Sequence, residues 1–132
     1  MLPEIQTEFC LTGLKILPEE ITNSLGVSPT RTWLVGDSIE GTLIQRKHNG
    51  WSLSTNLKRN LDLGESLQPL LQILLPKSKT INYMCTQYSL DAEISCAIYI
   101  TDETPIINLD KNIIAQVADL SAEIDIDIIL VK

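Results

Sequence analysis

His48 is the only histidine in the chain, so any nucleophile–histidine–acid relay would have to run through it. It lies between Lys47 and Asn49 with no serine or cysteine beside it, and a solvated hairpin tip is its plainer use. A lone histidine also excludes a histidine-rich metal site. Cys10, Cys85 and Cys96 stand far apart, with no Cys-x-x-Cys pair, so zinc and dithiol chemistry lack the spacing they need. Each falls in a segment expected to be a strand, where a free thiol behaves as a small buried hydrophobe. Gly13, Gly26 and Gly36 are too scattered for a phosphate-cradling loop. No catalytic residue is assigned and no cofactor is implied.

The carboxylates offer more. Glu123, Asp125 and Asp127 alternate in the ending EIDIDIILV, which sets them on one face of a strand about 7 Å apart in succession. Such a row can hold Mg²⁺ or Ca²⁺ if a neighbouring strand adds oxygens, which makes Asp125 and Asp127 the weak candidates for a metal. The wet face of an amphipathic strand is the plainer reading, and no metal is assigned. Like charges along a strand repel, so Lys or Arg is expected opposite them. The residues from Arg31 to Trp51 gather two indoles, Trp33 and Trp51, with Arg31, Arg46, Lys47 and His48. Trp and Arg concentrate binding energy at protein interfaces, so Trp33, Arg46, His48 and Trp51 are the expected docking residues. Burial of both rings in the core is the alternative.

These groups need a scaffold, and the composition supplies one. With 132 residues, 44% of them hydrophobic and 20% charged, the chain is expected to fold as a single domain, 1–132, around one ordinary core. The net charge of −7 disfavours nucleic acid, because no basic stripe replaces condensed counterions. It leaves a basic protein partner open. The longest apolar run, Leu70–Leu75, is interrupted by Gln72 and is far too short to span a membrane. Met1 is followed by Leu-Pro-Glu, with no secretory pattern, and a cytoplasmic location is expected.

The expected centre of the sheet is Lys79–Thr101, two strands joined by a turn at Leu90-Asp91. Ile94, Cys96, Ile98 and Ile100 alternate there and should face a helical layer. Before it come a strand over Ile5–Thr12 and a helix begun by Pro18 and closed by Gly26, with Leu17, Ile21 and Leu25 as its stripe. The stretch 28–40 reads as irregular. A hairpin of Thr42–His48 and Trp51–Thr55 is expected about Asn49-Gly50, a pair suited to a type I′ turn. A helix follows with Leu67, Leu70, Leu71 and Leu74 on one face. If Ser66 is its N-cap, Pro69 breaks no hydrogen bond; a start near Gly64 is the alternative. Pro76 should end that helix. Asp110 should cap a last helix, and Glu123–Val131 is the last strand. The order β-α-β-β-α-β-β-α-β with short turns predicts an α+β fold: a mostly antiparallel sheet with helices packed on one face, of ferredoxin-like type.

The opening FCLTGLKILPEEITNSLGVSPT, the Gly36-Asp37 pair, the segment NGWSLST and the ending SCAIYITDETPIINLDKNIIAQVADLSAEIDIDI resemble the bacterial family known as domain of unknown function 4279. The resemblance covers nearly the whole chain, and its motifs are structural. It implies a compact cytosolic α+β domain and carries no established activity. From the residues, the expected function is that of a small acidic module that docks on another protein, a regulatory or toxin-neutralising partner being one concrete version. The alternative is an enzyme or small-ligand binder with a pocket near the carboxylate-bearing last strand.

Overall fold

A computed structural model describes residues 1–131. Its centre is β1 (Glu4–Gly13), a strand of ten residues whose side chains alternate without a break between half-buried and buried. Ile5, Thr7, Phe9, Leu11 and Gly13 point into the core, and Glu4, Gln6, Glu8, Cys10 and Thr12 point the other way. On one side β1 pairs antiparallel with β3 (Asn49–Ser54), and on the other with β5 (Asp91–Ile100). The short β2 (Arg31–Trp33) extends the sheet beyond β3, and β6 (Ala122–Leu130) extends it beyond β5. The two-residue β4 (Lys58–Arg59) pairs with the start of β1.

The class is α+β, and the sheet is mixed. The path runs β2-β3-β1-β5-β6, and β5 and β6 are parallel; the ferredoxin-like arrangement is not confirmed by this order. A parallel pair needs a crossover that a tight turn cannot supply. Here it is α4 (Lys111–Asp119), whose N-cap Asp110 accepts a hydrogen bond from the Ile113 amide at 2.9 Å, as expected. The remaining helices are α1 (Pro18–Leu25), α2 (Leu63–Leu74) and α3 (Ser78–Tyr88). One core joins Ile21, Leu67, Leu71, Ile81 and Val117 of the helices to Phe9, Trp51, Ile94 and Ile98 of the strands. Among the described residues no helix is long and apolar enough to cross a membrane.

Three expectations are corrected. Residues 78–88 form a helix, not the first strand of a central hairpin. Ile81, Met84, Cys85 and Tyr88 recur at helical spacing and turn one stripe to the core; the β-favouring Thr, Ile and Tyr of this segment obscured that period. Cys85 therefore lies in a helix. Second, Asn49-Gly50 is not a turn: both residues are buried and begin β3, and Thr42–His48 forms no strand. The chain reverses instead at Gly41, whose φ of 75° supplies the left-handed geometry. Third, Ser66 is not the N-cap of α2: the earlier of the two starts left open is the one found, at Leu63 under the cap of Asp62, whose carboxylate accepts from the Glu65 amide at 3.3 Å. Pro69 thus sits inside the helix, on its exposed side. Pro76 does not end the helical run outright, because a 3₁₀ turn, Leu75–Lys77, links α2 to α3.

Candidate functional site

The strand alternation that builds the core also builds a second surface. With the helical core on one face, the opposite face is left open. It carries Arg31 and Trp33 from β2, Ser52 and Ser54 from β3, and Gln6, Glu8, Cys10 and Thr12 from β1. Asp91, Glu93, Ser95 and Ala97 come from β5, and Glu123, Asp125 and Asp127 from β6. Two adjoining concavities of ≈ 420 and ≈ 430 Å³ occupy this face and share Glu8, Arg31 and Ser95. The first reaches Asp127, and the second runs past Glu93 and Glu123 to Trp33 and Arg46.

Glu8 is the anchor of the surface. Its Oε2 accepts from Ser52 Oγ at 2.5 Å and Ser54 Oγ at 3.0 Å, while Arg31 Nη2 lies 3.3 Å away. Its Oε1 takes the Cys10 thiol at 3.4 Å. Burial pushes the Glu8 pKa up, but the two serine hydroxyls, the Arg31 charge and the Cys10 contact outweigh it, leaving the pKa below the ordinary value. Glu8 is therefore ionised and held by partners on both oxygens. Burial, reinforced by the Glu8 charge, pushes the Cys10 thiol up to about 12. Cys96 is likewise pushed to about 12 by burial and then by Asp125, and burial and then Asp91 raise Cys85. All three are free thiols, and none is set up as a thiolate nucleophile.

Trp33 closes one end of the face. The Arg46 guanidinium carbon lies 4.2 Å from its ring centroid and that of Arg31 5.1 Å away, within the range of cation–π attraction. The indole lies directly over Gly50, where any Cβ would overlap the ring. That close approach, not a turn, is what Gly50 serves. Asn49 is tied in from both sides: its Oδ1 accepts from the Val35 amide at 2.9 Å, and its Nδ2 donates to Ile16 O at 3.2 Å. It anchors the irregular segment 34–48, which folds back on itself through the Gly36 amide to Arg46 O and the Arg46 amide to Asp37 O.

Of the expected docking residues, Trp33, Arg46 and His48 come together around a hollow of ≈ 250 Å³ beside this segment. Trp51 does not join them. It is fully buried on the helical face, and its Nε1 donates to Thr22 Oγ1 at 3.0 Å. Asp125 and Asp127 are exposed on β6, and among the described residues no group of three metal-ligating side chains converges. The expected cations opposite the carboxylate row are missing: Glu93 faces Glu123, Ser95 faces Asp125, and Ala97 faces Asp127. Arg31 belongs to the basic and aromatic stretch that the sequence marks, whereas nothing in the sequence singles out Glu8. The alternation of Ile5–Thr12 places Glu8 among its outward residues, but only the pairing with β3 reveals its partners.

No curated protein and no solved structure matches the chain. The chain does match, over residues 3–131, the model of a family described as Domain of unknown function (DUF4279). That match takes in every strand and helix of the fold, and the chain belongs to that family.

Proposed function

We propose that the protein is a binding module whose open sheet face receives a positively charged segment of another protein. The observation that carries this is the one-sided packing. A broad sheet face is left without helices, and its acidic residues outnumber its arginines: Arg31 sits on Glu8, Arg59 on Glu4 and Arg46 on Trp33, while Asp91, Glu93, Glu123, Asp125 and Asp127 have no basic residue opposite them in the sheet. Adjacent like charges such as Glu93 and Glu123 repel in the free protein, and a cationic partner relieves that repulsion on docking. The same charges repel a phosphate backbone. Trp33, half-buried beside Arg46 and His48, supplies the aromatic anchor at one end. Covering a cationic region of a partner in this way suits a regulatory or toxin-neutralising role.

The small-ligand alternative has less support. Both Glu8 oxygens are already engaged, and the β6 row is divided, Asp127 lining one concavity and Glu123 the other, instead of converging on one. The test is calorimetric titration of the wild type and of Glu93→Lys with a lysine-rich peptide. Binding that weakens about tenfold in Glu93→Lys, the equivalent of one lost charge contact, is expected. Equal affinity in the two proteins refutes the surface.

A further inference from the structure

The face described above ends at β6, and β6 is a free sheet edge. It lies last in the path β2-β3-β1-β5-β6, and among the described residues no strand pairs with its outer side. The edge is nine residues long, about 30 Å of extended backbone. Its one protection of the usual kinds is the charge of Glu123, Asp125 and Asp127. It has no proline, no lysine or arginine, and its register with β5 is unbroken from Ala92↔Ala122 to Ile100↔Leu130. The ladder also fixes which groups are free. The Val131 amide donates to Ile100 O at 2.8 Å, so the odd-numbered residues of β6 serve β5. The amides and carbonyls of Ile124, Ile126 and Ile128 point outward.

The side chains along this edge are sorted by face. Glu123, Asp125 and Asp127 are exposed on the open face, and no cation stands opposite them on β5. On the helical face Ile124 and Ile126 are only half-buried, Ile128 is 54% and Leu130 74% exposed, and Ile114 of α4 adds a further 57% exposed aliphatic. A second copy of the chain fits this edge badly. Pairing β6 with β6 would set two acidic rows on the same face as cross-strand neighbours, which destabilises a pair.

Resting on the proposed function, we infer that the partner segment binds by strand addition: an extended stretch in which Lys or Arg alternates with aliphatic residues pairs along β6. Its cations lie beside Glu123, Asp125 and Asp127, its aliphatic side chains cover Ile124, Ile126 and Ile128, and its backbone completes the outward hydrogen bonds. Neither the charges nor the apolar stripe alone selects this pattern. The alternation of both at a period of two does.

The probe is a blocked peptide of alternating Lys and Val about seven residues long, compared with one of the same composition whose lysines are gathered at one end. Backbone amide exchange is followed in the wild-type protein. The alternating peptide should slow exchange at Ile124, Ile126 and Ile128 and leave Asp125 and Asp127, already bonded to β5, unchanged. The sorted peptide should bind about tenfold more weakly, as should the alternating peptide to Ile128→Pro, which removes one outward amide at an edge that tolerates proline. Should Ile128→Pro fail to fold, the exchange pattern of the wild type decides. Equal affinity for the two peptides, or binding without protection of the outward amides, overturns strand addition; if Glu93→Lys still weakens that binding about tenfold, the open-face function stands without it. Protection that grows with protein concentration and needs no peptide assigns the edge to a second copy and overturns the proposal. Absence of binding by either peptide overturns both.

Discussion

Glu8 shows how one carboxylate organises both stability and surface. Its side chain is 20% exposed, and it satisfies Ser52, which is fully buried. Glu8→Ala should cost about 1–3 kcal/mol, because the Ser52 hydroxyl loses its acceptor and Arg31 its counter-charge; a loss below half of that in denaturant melts would detach Glu8 from the fold. Its pKa lies below 4.5 in the folded protein, so its contribution is present above that value and disappears as pH falls through the folded pKa. Glu8→Gln should flatten the acid limb of the stability profile, and an unchanged limb would contradict the lowered pKa. The three thiols, all raised and at least half-buried, should label slowly with a bulky reagent near neutral pH, Cys96 slowest. Rapid labelling of Cys96 would contradict its burial. Gly50 is the residue where the sequence misleads most. Next to Asn49 it reads as a hairpin turn, yet it lies in a strand because the Trp33 ring needs its bare Cα. A contact between residues so far apart in sequence leaves no periodic trace.

At the scale of elements, strand alternation marks β1, β5 and β6, and the helix signals mark α1, α2 and α4 but not α3. The buried face of β5 is the expected one: Ile94, Cys96 and Ile98 are each at most 1% exposed. Ile98→Ala should cost about 2–5 kcal/mol through lost burial and the cavity left behind, and a cost under about half a kcal/mol would remove β5 from the core. The helix at 78–88 went unseen because Thr80, Ile81 and Tyr83 favour strands, whereas the packing of Ile81 and Met84 against the core decided the outcome. Tertiary burial overrode local preference. The parallel pairing of β6 was hidden for a different reason. Its sequence shows only that alternate residues share a face, and both parallel and antiparallel neighbours satisfy that. The helix before it, with Asp110 at its start, was legible and is what makes the parallel crossover possible.

For the molecule as a whole, the asymmetry of the two sheet faces matters more than the net charge of −7. That total was evident from the sequence, but its concentration opposite the helices depends on which strands are neighbours. The same pairing brings Trp33 and Arg46 to the end of the acidic face and sends Trp51 into the core. The most direct measurement is a map of amide chemical-shift changes as a lysine-rich peptide is titrated into the labelled protein. Open-face docking predicts the largest changes in β1, β5 and β6 at Glu8, Glu93, Ser95 and Asp127, with the exposed sides of α1 and α3 unaffected. Changes centred on those helices, or none at all at saturating peptide, would contradict it.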